Sequence, residues 1–264
     1  MGRIKEKFCE LKKKKRKAFI IFVPFGFPTI GLFEKIIKIL DNTGIDFIEV
    51  GLPFSDPLAD GVIIQQANQQ ALKEGATTKR LFSSLNKLKK HLETPIIILT
   101  YYNPVYVFGV RKFLEACYRS GVSGVMIVDL PIEEASSYIK EAKRYNLETV
   151  FFITPTTKLE RIKRIISLSQ GFIYYISVTG ITGPKKITLS ELFSQLKRIR
   201  RLRGDINICV GFGIHKKSQA QEIIKESDGV IIGSAVVRYI KNNYFKKNFE
   251  KEFSSYIKEL CLRL

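Results

Sequence analysis

Short apolar runs recur along the chain with amphipathic stretches between them, and that alternation predicts the fold. The runs fall at 18–23, 47–51, 96–100, 124–128, 149–153, 172–177, 206–210 and 229–232. Near-continuous apolarity over so few residues marks a strand covered on both faces, as in a parallel sheet. The intervening segments, 32–40, 79–91, 110–120, 133–145, 159–168, 189–203 and 216–226, repeat their apolar residues at the spacing of a helix with one buried stripe. Strand then helix, repeated, predicts βα units rather than an antiparallel sheet. Two extra helices are expected, at 4–14 before the first strand and at 61–73 after the second.

Eight such strands close a barrel, so the predicted class is α/β: a single (β/α)8 TIM barrel with extra helices before strand 1 and after strand 2. A doubly wound open sheet would show a Gly-rich dinucleotide fingerprint after its first strand, and Pro24-Phe25-Gly26-Phe27-Pro28 is not one. The 264 residues suit one barrel, so 1–264 is read as a single domain, with 1–17 as a basic N-terminal helix leading into it.

Composition changes this picture little. The chain carries 44 Lys and Arg against 25 Asp and Glu, a formal charge of +19, which raises the question of nucleic acid. Apart from Lys12-Lys13-Lys14-Lys15-Arg16-Lys17 and Arg198-Ile199-Arg200-Arg201-Leu202-Arg203, the basic residues sit between apolar ones at helical spacing, as on solvated faces. No RNP-like aromatic motif or zinc finger accompanies them, so no nucleic-acid role is expected. Cys9, Cys117, Cys209 and Cys261 are isolated and His91 and His215 are the only imidazoles, which indicates neither a disulfide framework nor a metal site. No run is long enough to span a bilayer, and Met1-Gly2-Arg3-Ile4-Lys5-Glu6 lacks the apolar stretch of a secretory signal. A soluble protein of a reducing compartment is expected, cytoplasmic or in an organelle stroma.

One strand breaks the apolar rule. Glu49 lies inside Phe47-Ile48-Glu49-Val50-Gly51, where a carboxylate is costly to desolvate without a partner. On its own it would be read as paired with a core Lys or Arg. The loop that follows, Leu52-Pro53-Phe54-Ser55-Asp56-Pro57-Leu58-Ala59-Asp60-Gly61, shifts that reading, because its prolines and glycine shape a segment that holds Asp56 and Asp60 over a pocket. TIM-barrel chemistry sits at the C-terminal strand ends. Gathered there with Glu49 and the acidic loop are Phe22, Val23, Thr100-Tyr101-Tyr102-Asn103-Pro104, Asp129 and Ile153.

The last three strands end in Gly180-Ile181-Thr182-Gly183, Gly211-Phe212-Gly213 and Gly233-Ser234, the last at a helix start. Glycine lets backbone N–H groups approach an anion, and a helix N-terminus adds the positive end of its dipole. Each motif alone reads as a tight turn. Together, where such barrels often hold phosphate, they predict a phosphate site.

The run from Glu49 to Gly61 closely resembles the signature of the tryptophan synthase alpha family. The resemblance extends over essentially the whole chain, and is also specific at Ser177-Val178-Thr179-Gly180-Ile181-Thr182-Gly183 and at Val210-Gly211-Phe212-Gly213 with Gly233-Ser234. It implies a retro-aldol cleavage of indole-3-glycerol phosphate to indole and glyceraldehyde 3-phosphate. Glu49 takes the place of the family's general acid/base and Asp60 that of the acid facing the indole nitrogen, with Thr182 orienting Asp60 when a loop closes. Phe22, Ile64, Tyr101, Ile153 and Phe212 match indole-pocket positions. Tyr174, Gly183, Gly213, Gly233 and Ser234 match positions near the phosphate, Tyr174 rather than Tyr175 by counting back from Gly183. Pro53, Asp56 and Pro57 match the loop facing a beta subunit, which implies an alpha2beta2 complex with pyridoxal phosphate (PLP) in the partner and no cofactor in this chain.

The family pattern fails near the first strand, where Pro24-Phe25-Gly26-Phe27-Pro28 lacks the usual Asp and leaves the packing of that loop open, and at Pro184 after the closing loop. Burial should raise the Glu49 pKa so that it shuttles protons, while Asp60 on a solvated loop should stay ionised. A free-standing lyase with the same site remains open. A catalytically silent activating subunit is disfavoured by the intact acids, and an unrelated sugar-phosphate isomerase by the acidic-loop signature.

Overall fold

The structure is a computed structural model that describes residues 2–177, 188–202, 205–211 and 217–262. In chain order its elements are α1 (Arg3–Lys13), β1 (Ala18–Pro24), α2 (Ile30–Asp41), β2 (Phe47–Gly51), α3 (Val62–Lys73), α4 (Thr78–Leu88), β3 (Ile96–Thr100), α5 (Tyr102–Phe108), α6 (Val110–Arg119), β4 (Val122–Ile127), α7 (Ser136–Arg144), β5 (Glu148–Thr149), β6 (Phe151–Ile153), α8 (Leu159–Leu168), β7 (Phe172–Ile176), α9 (Leu189–Leu202), β8 (Asn207–Gly211), α10 (Lys217–Glu226), β9 (Gly229–Ile232), α11 (Ser234–Asn243) and α12 (Phe249–Leu262). The strands pair in parallel in the order β5-β4-β3-β2-β1-β9-β8-β7-β6.

The two ends of that order are separated along the chain by Val150 alone. Glu148 and Thr149 pair with β4, whereas Phe151 to Ile153 pair with β7. The fifth strand expected at 149–153 is therefore one extended segment that changes partner halfway, and it closes the sheet into a TIM barrel. This is why nine short strands stand where eight runs were read.

Ile, Val and Phe dominate the strands, and the buried stripes of the helices cover them from outside. Thr29 and Thr77 start α2 and α4 by accepting from the Leu32 and Arg80 N–H groups at 3.2 and 3.3 Å. α1 lies across the N-terminal mouth of the barrel with Ile4, Phe8 and Leu11 buried. The Phe8 ring sits 5.1 Å from Phe47 and 5.8 Å from Phe172, the first residues of β2 and β7. The helix stops at Lys13, with Lys15 at φ 54°, so the basic run 12–17 is not helical throughout.

The unusual loop after β1 is well packed. Phe25 and Phe27 are buried, Phe25 meets Phe33 edge-on at 5.1 Å, and the Phe25 N–H donates to the Gly51 carbonyl at 2.7 Å. Three helices were not expected as such. α5 carries Pro104 in its first turn, α11 was foreseen only as a start at Gly233-Ser234, and α12 packs on α2 with a Lys35–Glu250 contact of 2.6 Å. Among the described residues no helix is long and apolar enough to cross a membrane.

Candidate active site

Glu49 points from β2 with Phe22 of β1 and Ile97 of β3 beside it in register, and is 1% exposed. No Lys or Arg among the described residues pairs with it, and its Oε2 has no hydrogen-bond partner there. The described residues therefore give the ion-pair reading no support. Burial, with the charge of Asp60 added, pushes the Glu49 pKa up to about 8.

Asp60 is held from two sides. Its N–H donates to the Pro57 carbonyl at 3.0 Å, and the Gln65 amide donates to its main-chain carbonyl at 2.9 Å. The Asn68 amide donates to its carboxylate at 3.0 Å, and the Tyr101 hydroxyl bonds the same carboxylate. The residue is 7% exposed, which corrects the solvated loop expected for it. Burial outweighs the two donors and carries its pKa up to about 6. The Tyr101 oxygen accepts from the Ala59 N–H at 3.0 Å, and its ring lies 5.4 Å from Phe54. Burial and the Asp60 charge raise the Tyr101 pKa, so the hydroxyl keeps the proton it donates.

Around the two acids, a side chain at Gly51 would come within 2.7 Å of the Phe22 ring, and one at Gly233 within 3.1 Å. Tyr174 of β7 packs on Phe152 at 5.1 Å, fills the space beside Gly211, and has its pKa raised by burial and then by Glu49. Gly211 thus makes room for a ring, a role its motif did not suggest. Ile64 lies in the first turn of α3 and Ile153 ends β6, both buried. Gly233 caps α11 with no side-chain cap, and Ser234 opens that helix. A barrel top with two close carboxyls, one uncharged at neutral pH and one ionised, can move a proton while holding a positive charge.

The sequence model of the tryptophan synthase alpha chain family matches residues 8–261. The chain belongs to that family. It is 42% identical over 238 residues to the tryptophan synthase alpha chain of Geotalea daltonii, covering 90% of each chain. It is 40% identical over 242 residues to that of Methanocaldococcus jannaschii, covering 91% of this chain and 85% of that one. The crystal structure of tryptophan synthase subunit alpha from Legionella pneumophila superposes with a TM-score of 0.91 at 28% identity, covering 100% of this chain and 98% of that one. Its activity is the lyase reaction of tryptophan biosynthesis, cleavage of indole-3-glycerol phosphate. Membership also implies a beta-subunit partner.

The structure brings Glu49, Asp60, Phe22, Ile64, Tyr101, Ile153, Tyr174, Gly233 and Ser234 to the barrel's C-terminal half. Thr182, Gly183, Phe212, Gly213, Pro184 and His215 lie outside the described residues. In the loop expected to face a beta subunit, Asp56 is exposed and Pro57 half-buried, but Pro53 is buried, contrary to the exposure such a loop implies. Asn68 escaped sequence reasoning. Its signal was a polar residue on the buried stripe of α3, shared with Ile64, Ala67 and Ala71.

Proposed function

We propose that Glu49 is the proton carrier and Asp60 the counter-charge of the cleavage of indole-3-glycerol phosphate to indole and glyceraldehyde 3-phosphate. The observation that carries this reading is the buried Glu49 carboxyl with no cation and no partner at Oε2 among the described residues. Protonated at neutral pH, Glu49 gives its proton to indole C3. The ring nitrogen then bears the positive charge, which the Asp60 carboxylate stabilises. The resulting Glu49 carboxylate takes the proton of the adjacent hydroxyl, the carbon–carbon bond breaks as the aldehyde forms, and the carboxylic acid is restored. No cofactor in this chain is needed.

Phe22, Ile64, Tyr101, Ile153 and, by resemblance, Phe212 line the indole pocket. The first-turn N–H groups of α11, whose N-cap is a glycine with no side chain to offer them, support phosphate binding at Gly233 and Ser234, with Tyr174, Gly183 and Gly213 completing that end and Thr182 orienting Asp60. The expected pH profile of kcat/KM is a bell. Activity falls below about 6, where Asp60 loses its charge, and above about 8, where Glu49 loses its proton. A profile flat across both limbs would remove these roles.

The partner of this reading is a PLP-dependent beta subunit in an alpha2beta2 complex in the cytoplasm, with no nucleic-acid role. Exposed apolar side chains support it: Leu58 beside Asp56 is 84% exposed, and Tyr106 and Val107 on neighbouring α5 are 67% and 76% exposed. Asp56→Ala should keep the fold and the basal cleavage while losing about 5–150-fold of activation. Titrating a beta subunit while following indole release checks this, and equal stimulation of parent and variant contradicts the role of Asp56.

A further inference from the structure

We infer that Asn68 is a positioning residue of the site: its side-chain amide, reaching from α3, fixes the aim and the charge of Asp60. This rests on the reading of Asp60 as the anion that faces the indole nitrogen.

Asn68 is 4% exposed and sits on the apolar stripe of α3, where an amide is costly unless it is bonded. Its Nδ2 donates to Asp60 Oδ2 at 3.0 Å. A purely structural tie would not need this bond. Gln65, on the same helix, already grips the Asp60 main-chain carbonyl, and the Asp60 N–H is bonded to Pro57. What Asn68 adds is a donor aimed at the carboxylate alone.

The other groups that face Asp60 sharpen its role. From β2 comes Glu49, from the end of β3 Tyr101, which also feels Asp129, and from β7 Tyr174. None of these is a cation. The Asp60 charge in this buried place is therefore favoured by two donors among the described residues, the Tyr101 hydroxyl and the Asn68 amide. The Tyr101 oxygen is also committed to the Ala59 N–H. Removing Asn68 leaves one donor against the full cost of burial, so the carboxylate takes up a proton at higher pH.

The test is the pH profile of kcat/KM for parent, Asn68→Leu, Asn68→Asp and Asp60→Asn, with thermal melting to confirm folding. Asn68→Leu keeps the volume without the donor and should move the acid limb up by about one pH unit, a tenfold loss on the acid side. Asn68→Asp keeps the shape, places a second carboxyl beside the first, and should move the limb at least as far, so the proposal stays testable should the Leu variant fail to fold. A uniform drop in rate with the limb unmoved, in whichever variant folds, marks a structural residue and overturns the proposal. An acid limb that persists in Asp60→Asn overturns the assignment of Asp60 itself.

Discussion

The two ends of the barrel use the same residue type in opposite ways. At the N-terminal end the buried Asp46 and Glu148 and the half-buried Asp228 are all met by donors. Asp46 accepts from the Phe19 N–H at 2.9 Å and lies 3.6 Å from Arg16. Glu148 accepts from the Ile4 and Lys5 N–H groups at 2.7 and 3.1 Å. Asp228 accepts from the Ile208 N–H at 2.9 Å and from Arg200 at 3.0 Å. These acids fasten strand starts and the first turn of α1. At the C-terminal end Glu49 is as deeply buried and has no such donor among the described residues. Burial raises the pKa at both ends, of Asp46 and Glu148 as well as of Asp60, so the difference lies in Glu49, the acid without a donor. One end spends its carboxylates on stability, and the other keeps a carboxyl whose proton is free to move.

The largest effect that sharpens this contrast is on rate. Glu49→Gln keeps the shape but cannot carry a proton, so kcat should fall by about 10²–10⁴ or more with substrate binding retained. Steady-state indole release alongside substrate binding measures both, and near-normal turnover would contradict the role of Glu49. The opposite signature belongs to Glu148→Ala. That change leaves the Ile4 and Lys5 N–H groups unpaired at the buried start of α1, costing about 1–3 kcal/mol of stability while cleavage persists. Thermal melting and an activity assay on the same sample separate the two, and a loss of activity without a loss of stability would break the division between the ends.

The barrel was legible because its strands are buried on both faces and so read as unbroken apolar runs. The break at Val150 was not, since a change of pairing partner leaves no mark in composition. Glu49 stood out because of the acidic, proline-shaped loop that follows it, since alone in its run it reads as a core acid paired with Lys or Arg. The sequence could not show that Asp60 is buried, because its cover comes from Tyr101 and from Asn68 on another element. Nor could it separate a glycine that cradles an anion from one that clears space for a ring, as Gly211 does for Tyr174. The proposed partner-facing role of the loop came from its resemblance at Pro53, Asp56 and Pro57, and the exposed apolar Leu58 went unnoticed beside them.

The most direct test of the contrast is the stability of Glu49→Gln relative to the parent as a function of pH. The folded pKa of Glu49, about 8, stands above the unfolded value of about 4.3, so the folded parent holds a proton that the unfolded chain releases. As pH rises between those values the parent loses stability that the amide variant keeps, and above about 8 the difference levels off. Denaturant unfolding from pH 5 to pH 9 should show Glu49→Gln gaining on the parent by an amount on the order of a few kcal/mol. A difference independent of pH, or a variant that becomes the less stable of the two at high pH, would mean that the Glu49 carboxylate has a stabilising partner after all.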